Sequence, residues 1–294
     1  MDFNSTETLA VNPTAVKNPS ARRPSFVIRP ERGLVALELP ELWQFRDLMF
    51  ALAARDIKLR YKQTALGVVW VVLQPLMTAG ILSFVFGTVA HMKSGSIPYF
   101  VFSYAGLMGW NLFSAVLTKA GGSLVGNANL ISKVYFPRML LPFSSIPSSL
   151  VDFAIAVGML IVLLFLYHLP LQWGLLALPV WIALLLVFAT GFGLVATSLM
   201  VSYRDVGYVL PVALQILFYA TPIIYPIANV PQKLQFWFNL NPLSEVFEAI
   251  RWSVFGSGAV DWVRMGYAIA GAVVTLFIGI YSFKHMEKKF ADVI

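Results

Sequence analysis

The sequence predicts an all-α integral membrane protein with six transmembrane helices, and three observations carry that prediction. Five long stretches, 63–92, 94–118, 153–203, 206–232 and 265–283, contain no charged side chain, and a sixth holds only Asp152. About 20 apolar residues cross a bilayer as a helix, and a charged residue at the centre costs roughly 2.5–3.5 kcal/mol on insertion scales, so the gaps between charges mark lipid as the solvent. Composition agrees: 59% of residues are hydrophobic and 12% charged, with a mean hydropathy of +0.76. The stretch 153–203 is too long for one crossing, and His168-Leu169-Pro170-Leu171-Gln172 supplies its turn.

Residues 1–40 contain Pro13, Pro19, Pro24 and Pro30 among polar neighbours and no unbroken apolar core, which predicts a mostly disordered cytoplasmic tail rather than a signal peptide. Leu42, Phe45, Leu48, Met49 and Leu52 then fall on one arc of a 3.6-residue helix, with Gln44 and Asp47 facing away. A segment this short and charged fits an amphipathic helix lying at the membrane interface. It serves either as an anchor for the first span or as an elbow open to a cytosolic partner. The transmembrane domain over 41–286 follows, with spans near 67–90, 98–119, 139–167, 173–202, 206–228 and 262–283, and 287–294 form a C-terminal tail. An even number of spans puts both termini on one side. That side carries 17 of the Lys and Arg residues against 4 on the other, which makes it the cytoplasm. Pro75, Pro142, Pro147, Pro179, Pro211 and Pro222 predict kinked or broken spans.

Two connections are long enough to hold helices of their own. In the inner loop, Asn127 or Asn129 can cap a short helix through Leu130, Ile131, Lys133 and Val134 before Pro137 interrupts it. Leu130, Ile131, Val134 and Tyr135 offer apolar bulk that suits a groove in a partner or a headgroup layer equally. In the outer segment, Leu243, Val246, Phe247, Ile250 and Val254 form a stripe behind an Asn241 cap and Pro242, with Glu245, Glu248 and Arg251 off the stripe. A second short helix is expected over 230–238. Both outer helices are expected to be re-entrant or interfacial, shielding an exit or lying on the lipid surface.

Several motifs together resemble the ABC type 2 exporter permeases, in particular the polysaccharide branch that exports O-antigen, capsule and teichoic acid. They are Arg55-Asp56-Ile57-Lys58-Leu59-Arg60-Tyr61-Lys62-Gln63-Thr64-Ala65-Leu66-Gly67-Val68-Val69-Trp70 with Leu73-Gln74-Pro75-Leu76, the loop from Asn127 to Arg138, Ala220-Thr221-Pro222-Ile223-Ile224-Tyr225-Pro226, and Asn241-Pro242-Leu243. The likeness runs from about residue 40 to the C-terminus. It implies a homodimeric pore in the bacterial inner membrane working with two copies of a cytosolic ATPase subunit. The inner-loop helix becomes a cytoplasmic coupling helix with Asn129, Leu130, Ile131, Lys133 and Tyr135 as ATPase contacts. Arg204 and Asp205 form a second contact or a local helix-end ion pair. Arg55, Asp56, Lys58, Arg60 and Tyr61 form the elbow.

The chain contains no phosphate-binding loop, so the expectation is a transport subunit rather than an enzyme. It binds no cofactor or metal itself, and ATP and Mg are used by the partner. The absence of cysteine excludes disulfides and thiolate chemistry, and with only Asp152 acidic inside an expected span and His91, His168 and His285 at span ends a proton-coupled carrier is disfavoured. Asp152 is expected to hydrogen-bond inside the bundle with Ser145, Ser148 or Ser149, or else to face the pore. The expected cargo is a lipid-linked polysaccharide. Trp70, Phe84, Tyr99, Phe100, Tyr104, Trp110, Tyr219 and Tyr225 are candidates for a path on which sugar C–H faces stack; for any one of them a helix-packing or lipid-facing role is the favoured reading. Small-molecule drug or lipid efflux is the alternative. A membrane glycosyltransferase is less favoured, because Asp205, Glu245 and Glu248 form no paired catalytic set. The net charge of +7 is placed for anionic lipid rather than nucleic acid.

Overall fold

The computed structural model describes residues 39–62, 69–92, 94–258 and 260–293. The expected tail over 1–40 lies outside them except for Leu39 and Pro40, which open the first helix. Among the described residues all regular structure is helical: α1 Leu39–Gln44, α2 Arg46–Lys62, α3 Val69–Leu82, α4 Tyr99–Gly126, α5 Ala128–Ile131, α6 Leu140–Leu166, α7 Leu178–Ser202, α8 Val206–Ala220, α9 Gln232–Leu240, α10 Pro242–Phe255 and α11 Trp262–Val293.

Among the described residues five segments are long and apolar enough to cross a membrane: Val69–Val89, Tyr99–Gly126, Leu140–Leu166, Trp173–Ser202 and Trp262–Glu287. The segment expected over 206–228 differs. Its helix α8 has 15 residues, about 22 Å at 1.5 Å per residue, against a hydrocarbon core of ~30 Å. The reason is local. Pro222 has no N–H to continue the ladder, and Thr221 before it adopts the extended conformation that a following proline favours, with φ −110° and ψ 136°. Span two departs in the other direction, since α4 continues to Gly126 and encloses Lys119 rather than ending there. Of the prolines, Pro142 and Pro179 sit in first turns, where an N–H is unpaired in any case. Pro75, Pro147 and Pro211 are interior. Span one continues past α3 as a π-helical stretch, Ser83–Val89, in which the Ala90 N–H reaches back five residues to Val85 O at 2.9 Å.

The amphipathic reading of the N-terminal helix holds for the stripe and not for the length. Leu42, Phe45, Leu48, Met49 and Leu52 pack on Leu124, Met139, Leu140 and Phe283. The helix is interrupted at Phe45 and then runs on to Lys62. The α6–α7 turn closes as a Schellman motif. His168 takes φ 55°, the Leu169 N–H bonds Leu164 O at 2.9 Å and the His168 N–H bonds Phe165 O at 3.1 Å. At the other terminus, α11 continues through the expected C-terminal tail to Val293.

Helix α4 is the hub, buried on nearly every side except a strip through Asn111, Thr118 and Val125. It packs against α3, α6, α7 and α10. The tightest crossing joins α7 to α11: a Cβ on Gly279 would lie 2.4 Å from Gly191 O, and one on Gly191 would lie 2.8 Å from Leu276 N. Backbone touches backbone there, and only glycine permits it. Helix α10 is not a surface strut. All five residues of its stripe are buried, its Asn241 cap accepts from the Leu243 N–H at 3.1 Å, and it packs among α4, α7 and α11. Glu245 and Arg251, expected off the stripe, are buried as well. The helix expected over 230–238 is α9, shifted two residues onward, with Phe236 and Trp237 exposed.

Candidate functional site

At the end of the bundle where α4 stops and α6 begins, three segments meet: α2, the loop 127–139 around α5, and the last turns of α11. Helix α2 turns Leu52 and Ala53 to the core, while Arg55, Lys58, Leu59 and Lys62 line an open groove on its outer side. Its last turn carries Arg60 and Tyr61 to Asp152, an acidic residue inside the apolar span of α6. Arg60 Nη1 pairs with Asp152 Oδ2, and the Tyr61 hydroxyl donates to Asp152 Oδ1. Lys119 of α4 stands 4.0 Å from the same carboxylate and donates to Ser148 Oγ and Ser149 Oγ, both at 3.1 Å.

The serine partners expected for Asp152 therefore serve Lys119, while Ser145 bonds the carbonyls of Pro142 and Val116. Asp152 binds the elbow instead. The physical reason is charge: a carboxylate at this depth is stabilised far more by a guanidinium and an ammonium than by hydroxyls. Burial first, and then the hydrogen bond to Asp152, push the Tyr61 phenol up to about 12, so it remains a proton donor to the carboxylate. Four side chains thus tie α2, α4 and α6 together.

The elbow is also tied to the loop. Arg55 Nη2 donates to Asp56 Oδ1 at 3.0 Å and to Asn127 Oδ1 at 2.9 Å. Asn127 Nδ2 donates to Ser123 O at 2.8 Å. Asn127 stands at the start of α5 without a side-chain capping bond, because its amide is spent on Arg55 and Ser123. Helix α5 is a single turn, shorter than the sequence reading through Val134. Leu130 and Ile131 lean on the core beside Phe136 and Met139. Asn129 and Lys133 are exposed, and Val134 and Tyr135 project outward, Tyr135 with 68% of its surface open. Arg138 fastens the far end of the loop by donating to Glu287 O at 3.0 Å. Arg204 and Asp205, in the turn between α7 and α8, are exposed at the same end. Lys58 is exposed on α2 and lines the groove there.

The eight aromatic candidates divide. Trp70 on α3, Phe84 in the π-helical stretch that follows it and Tyr219 on α8 are about half exposed or more. Tyr99, Tyr104 and Trp110 are enclosed: Tyr99 donates to Ile224 O, Tyr104 to Ala156 O at 3.2 Å, and Trp110 packs on Phe113 and Phe218 with ring centroids 5.4 and 5.3 Å away. Phe100 stacks with Tyr167 at 6.2 Å, and Tyr225 donates to Tyr219 O at 2.6 Å. Sequence reasoning passed over Lys119, Asn127 and Arg138 as members of this network. Lys119 had a signal, since it ends a run of uncharged residues in mid-helix. The other two are set by tertiary contacts alone.

Residues 47–255 match the ABC-2 type transporter family. The chain is 28% identical to an O-antigen export system permease protein RfbA of Klebsiella pneumoniae, over 84% of this chain and 95% of that protein. It is 25% identical to the RfbA protein of Myxococcus xanthus, over 86% and 97%. It is 27% identical to the polysialic acid transport protein KpsM of Escherichia coli, over 81% and 93%. The match takes in the elbow, the α5 loop and the α10 segment together, and with most of its length inside the family's boundaries this multi-pass chain belongs to the ABC-2 type transporter membrane family.

Proposed function

We propose that this chain is the membrane permease subunit of an ATP-driven ABC exporter that moves a lipid-linked polysaccharide across the bacterial inner membrane, with both termini in the cytoplasm. The observation that carries the reading is that relatives matched almost end to end are O-antigen and polysialic acid transport proteins. The chain works as a homodimer. Gln74 on α3, Asn111 on α4 and Gln215 on α8 are exposed in the single subunit, and hydrocarbon would leave their amides without partners. A second copy and a hydrated path between the two satisfy them.

Two copies of a separate ATPase subunit, using ATP and Mg, dock on the α5 end through Val134, Tyr135, Asn129 and Lys133, with Arg204 and Asp205 beside them. The buried side of the loop makes that surface a lever. Leu130 and Ile131 join it to the core, Arg55 joins it to the elbow and Arg138 joins it to α11. Displacement of the loop on ATPase closure therefore moves α2 and α11 together. Trp70, Phe84 and Tyr219 offer the exposed aromatic faces on which a sugar chain slides, since stacking on C–H faces ignores hydroxyl configuration.

Deleting the chain and restoring it in trans tests the reading. Loss of surface polysaccharide with lipid-linked glycan accumulating inside, both reversed by the restored chain, is the expected result. Unchanged surface glycan together with altered drug sensitivity overturns it in favour of small-cargo efflux.

A further inference from the structure

Between α8 and α9 the backbone leaves the helix while remaining buried: Thr221, Ile223 and Ile224 are at most 1% exposed. Non-helical backbone at this depth is tolerated only where protein satisfies its carbonyls. Here side chains from two other helices do so. Arg251 of α10 donates to Pro222 O, and to Tyr225 O at 3.3 Å. Asn241 of the α10 cap donates to Thr221 Oγ1 at 2.9 Å and to Ala220 O at 3.3 Å. Tyr99 of α4 takes Ile224 O. The Ile223 carbonyl lies so close to α4 that a Cβ on Gly106 would stand 2.4 Å from it.

Arg251 is the centre of this corner. It is 3% exposed, bonded to Glu248 Oε1 at 3.1 Å and seated over the Phe102 ring at 4.8 Å. Its planar fork spans two carbonyls three residues apart, which an ammonium point charge does not reproduce. Helix α8 itself has no fully buried residue; Leu210, Leu214, Leu217 and Phe218 lean on the core, and the corner at its end adds the hydrogen-bonded attachment.

We propose that Arg251 is a positioning residue that makes the 220–225 corner and α10 one rigid unit, so that α8 and α10 move together during transport. The proposal rests on the export reading above. Movement begun at the Arg204–Asp205 end of α8 then reaches α10 without a hinge between them.

The chain has no cysteine, so the pair Thr221→Cys and Asn241→Cys, joined by a short reductant-cleavable bis-methanethiosulfonate, links the corner to α10 without background. Bridged protein should export at a rate within about twofold of the same cysteine pair left unbridged, since the link spans parts that do not separate. Arrest of export by the bridge, released by reductant, overturns the proposal. Arg251→Lys keeps the charge and should lower export by about tenfold or more, with the bridge restoring most of the loss. Wild-type export by Arg251→Lys, or a loss that the bridge does not restore, also overturns it.

Rigidity is read separately, by amide hydrogen exchange at Ile223, Ile224 and Tyr225 in the purified permease. Arg251→Lys should accelerate exchange there by about tenfold or more, and unchanged exchange refutes the clamp. If deleting the chain leaves surface glycan unchanged, the export reading fails by itself and the exchange measurement decides the corner.

Discussion

Replacing Asp152 with alanine should loosen the elbow from the bundle, and the structure sets the size of the effect. Asp152 is 16% exposed at its side chain, Lys119 31% and Arg60 47%, so the ion pair lies between the surface and buried limits. Exposed pairs are worth ~0–1 kcal/mol, and breaking a buried one costs ~3–5 kcal/mol. Removal of the carboxylate also leaves the Tyr61 hydroxyl, its donor, without its partner, a loss of ~1–3 kcal/mol when the group is buried. Arg60 can turn to water and Lys119 keeps Ser148 and Ser149, which pulls the sum down to about 2 kcal/mol, or roughly 30-fold in the folding equilibrium. Reversible unfolding in mixed detergent micelles measures it, using wild type, Asp152→Ala, Arg60→Ala and the double variant. The cycle should return a coupling of about 1–2 kcal/mol, and the exchanged pair Arg60→Asp with Asp152→Arg should recover part of the lost stability. Independent additive effects, or an Asp152→Ala variant within about 0.5 kcal/mol of wild type, would refute the latch.

Tyr135→Asp should weaken co-purification of the ATPase by about 2 kcal/mol, the scale of an aromatic hot spot, with membrane insertion intact; pull-down from solubilised membranes reads it. Ile131→Asp, by contrast, should lower stability by about 2 kcal/mol or more, because Ile131 leans on its own core rather than projecting, and thermal aggregation of the solubilised protein separates the two variants. Gly279→Val should force α11 off the Gly191 backbone. Overpacking costs ~1–3 kcal/mol where side chains can yield and more against backbone atoms, so loss of the monodisperse species in size-exclusion chromatography is expected. Asn241→Ala removes the α10 cap and should cost ~1 kcal/mol, read as a lower midpoint in the same micelle titration.

The large features were legible because lipid is an undemanding reader. A membrane span needs only length and absence of charge, so five of the six expected segments coincide with long helices. The stripe Leu243, Val246, Phe247, Ile250 and Val254, with Asn241 as cap, was equally plain, since its periodicity and capping are local properties. The truncation of α8 was also written locally, in the Thr221-Pro222 step, although an apolar run reading through to residue 228 hid it. The loop at 127–138 was recognisable as a connection with a short helix of its own. Which of its apolar residues face outward was not, because Leu130, Ile131, Val134 and Tyr135 look alike until a core exists for two of them to lean on.

By itself the sequence determined that the chain lives in a bilayer, where its helices run, and which ends carry positive charge, all consequences of solvation acting on contiguous residues. Only the tertiary structure decided who partners whom: Asp152 with an elbow residue 92 positions away, Lys119 with the serines, Arg251 with carbonyls beyond α8. Those pairings bring together groups far apart in the chain, and a charge removed from water takes whichever partner the packing sets beside it.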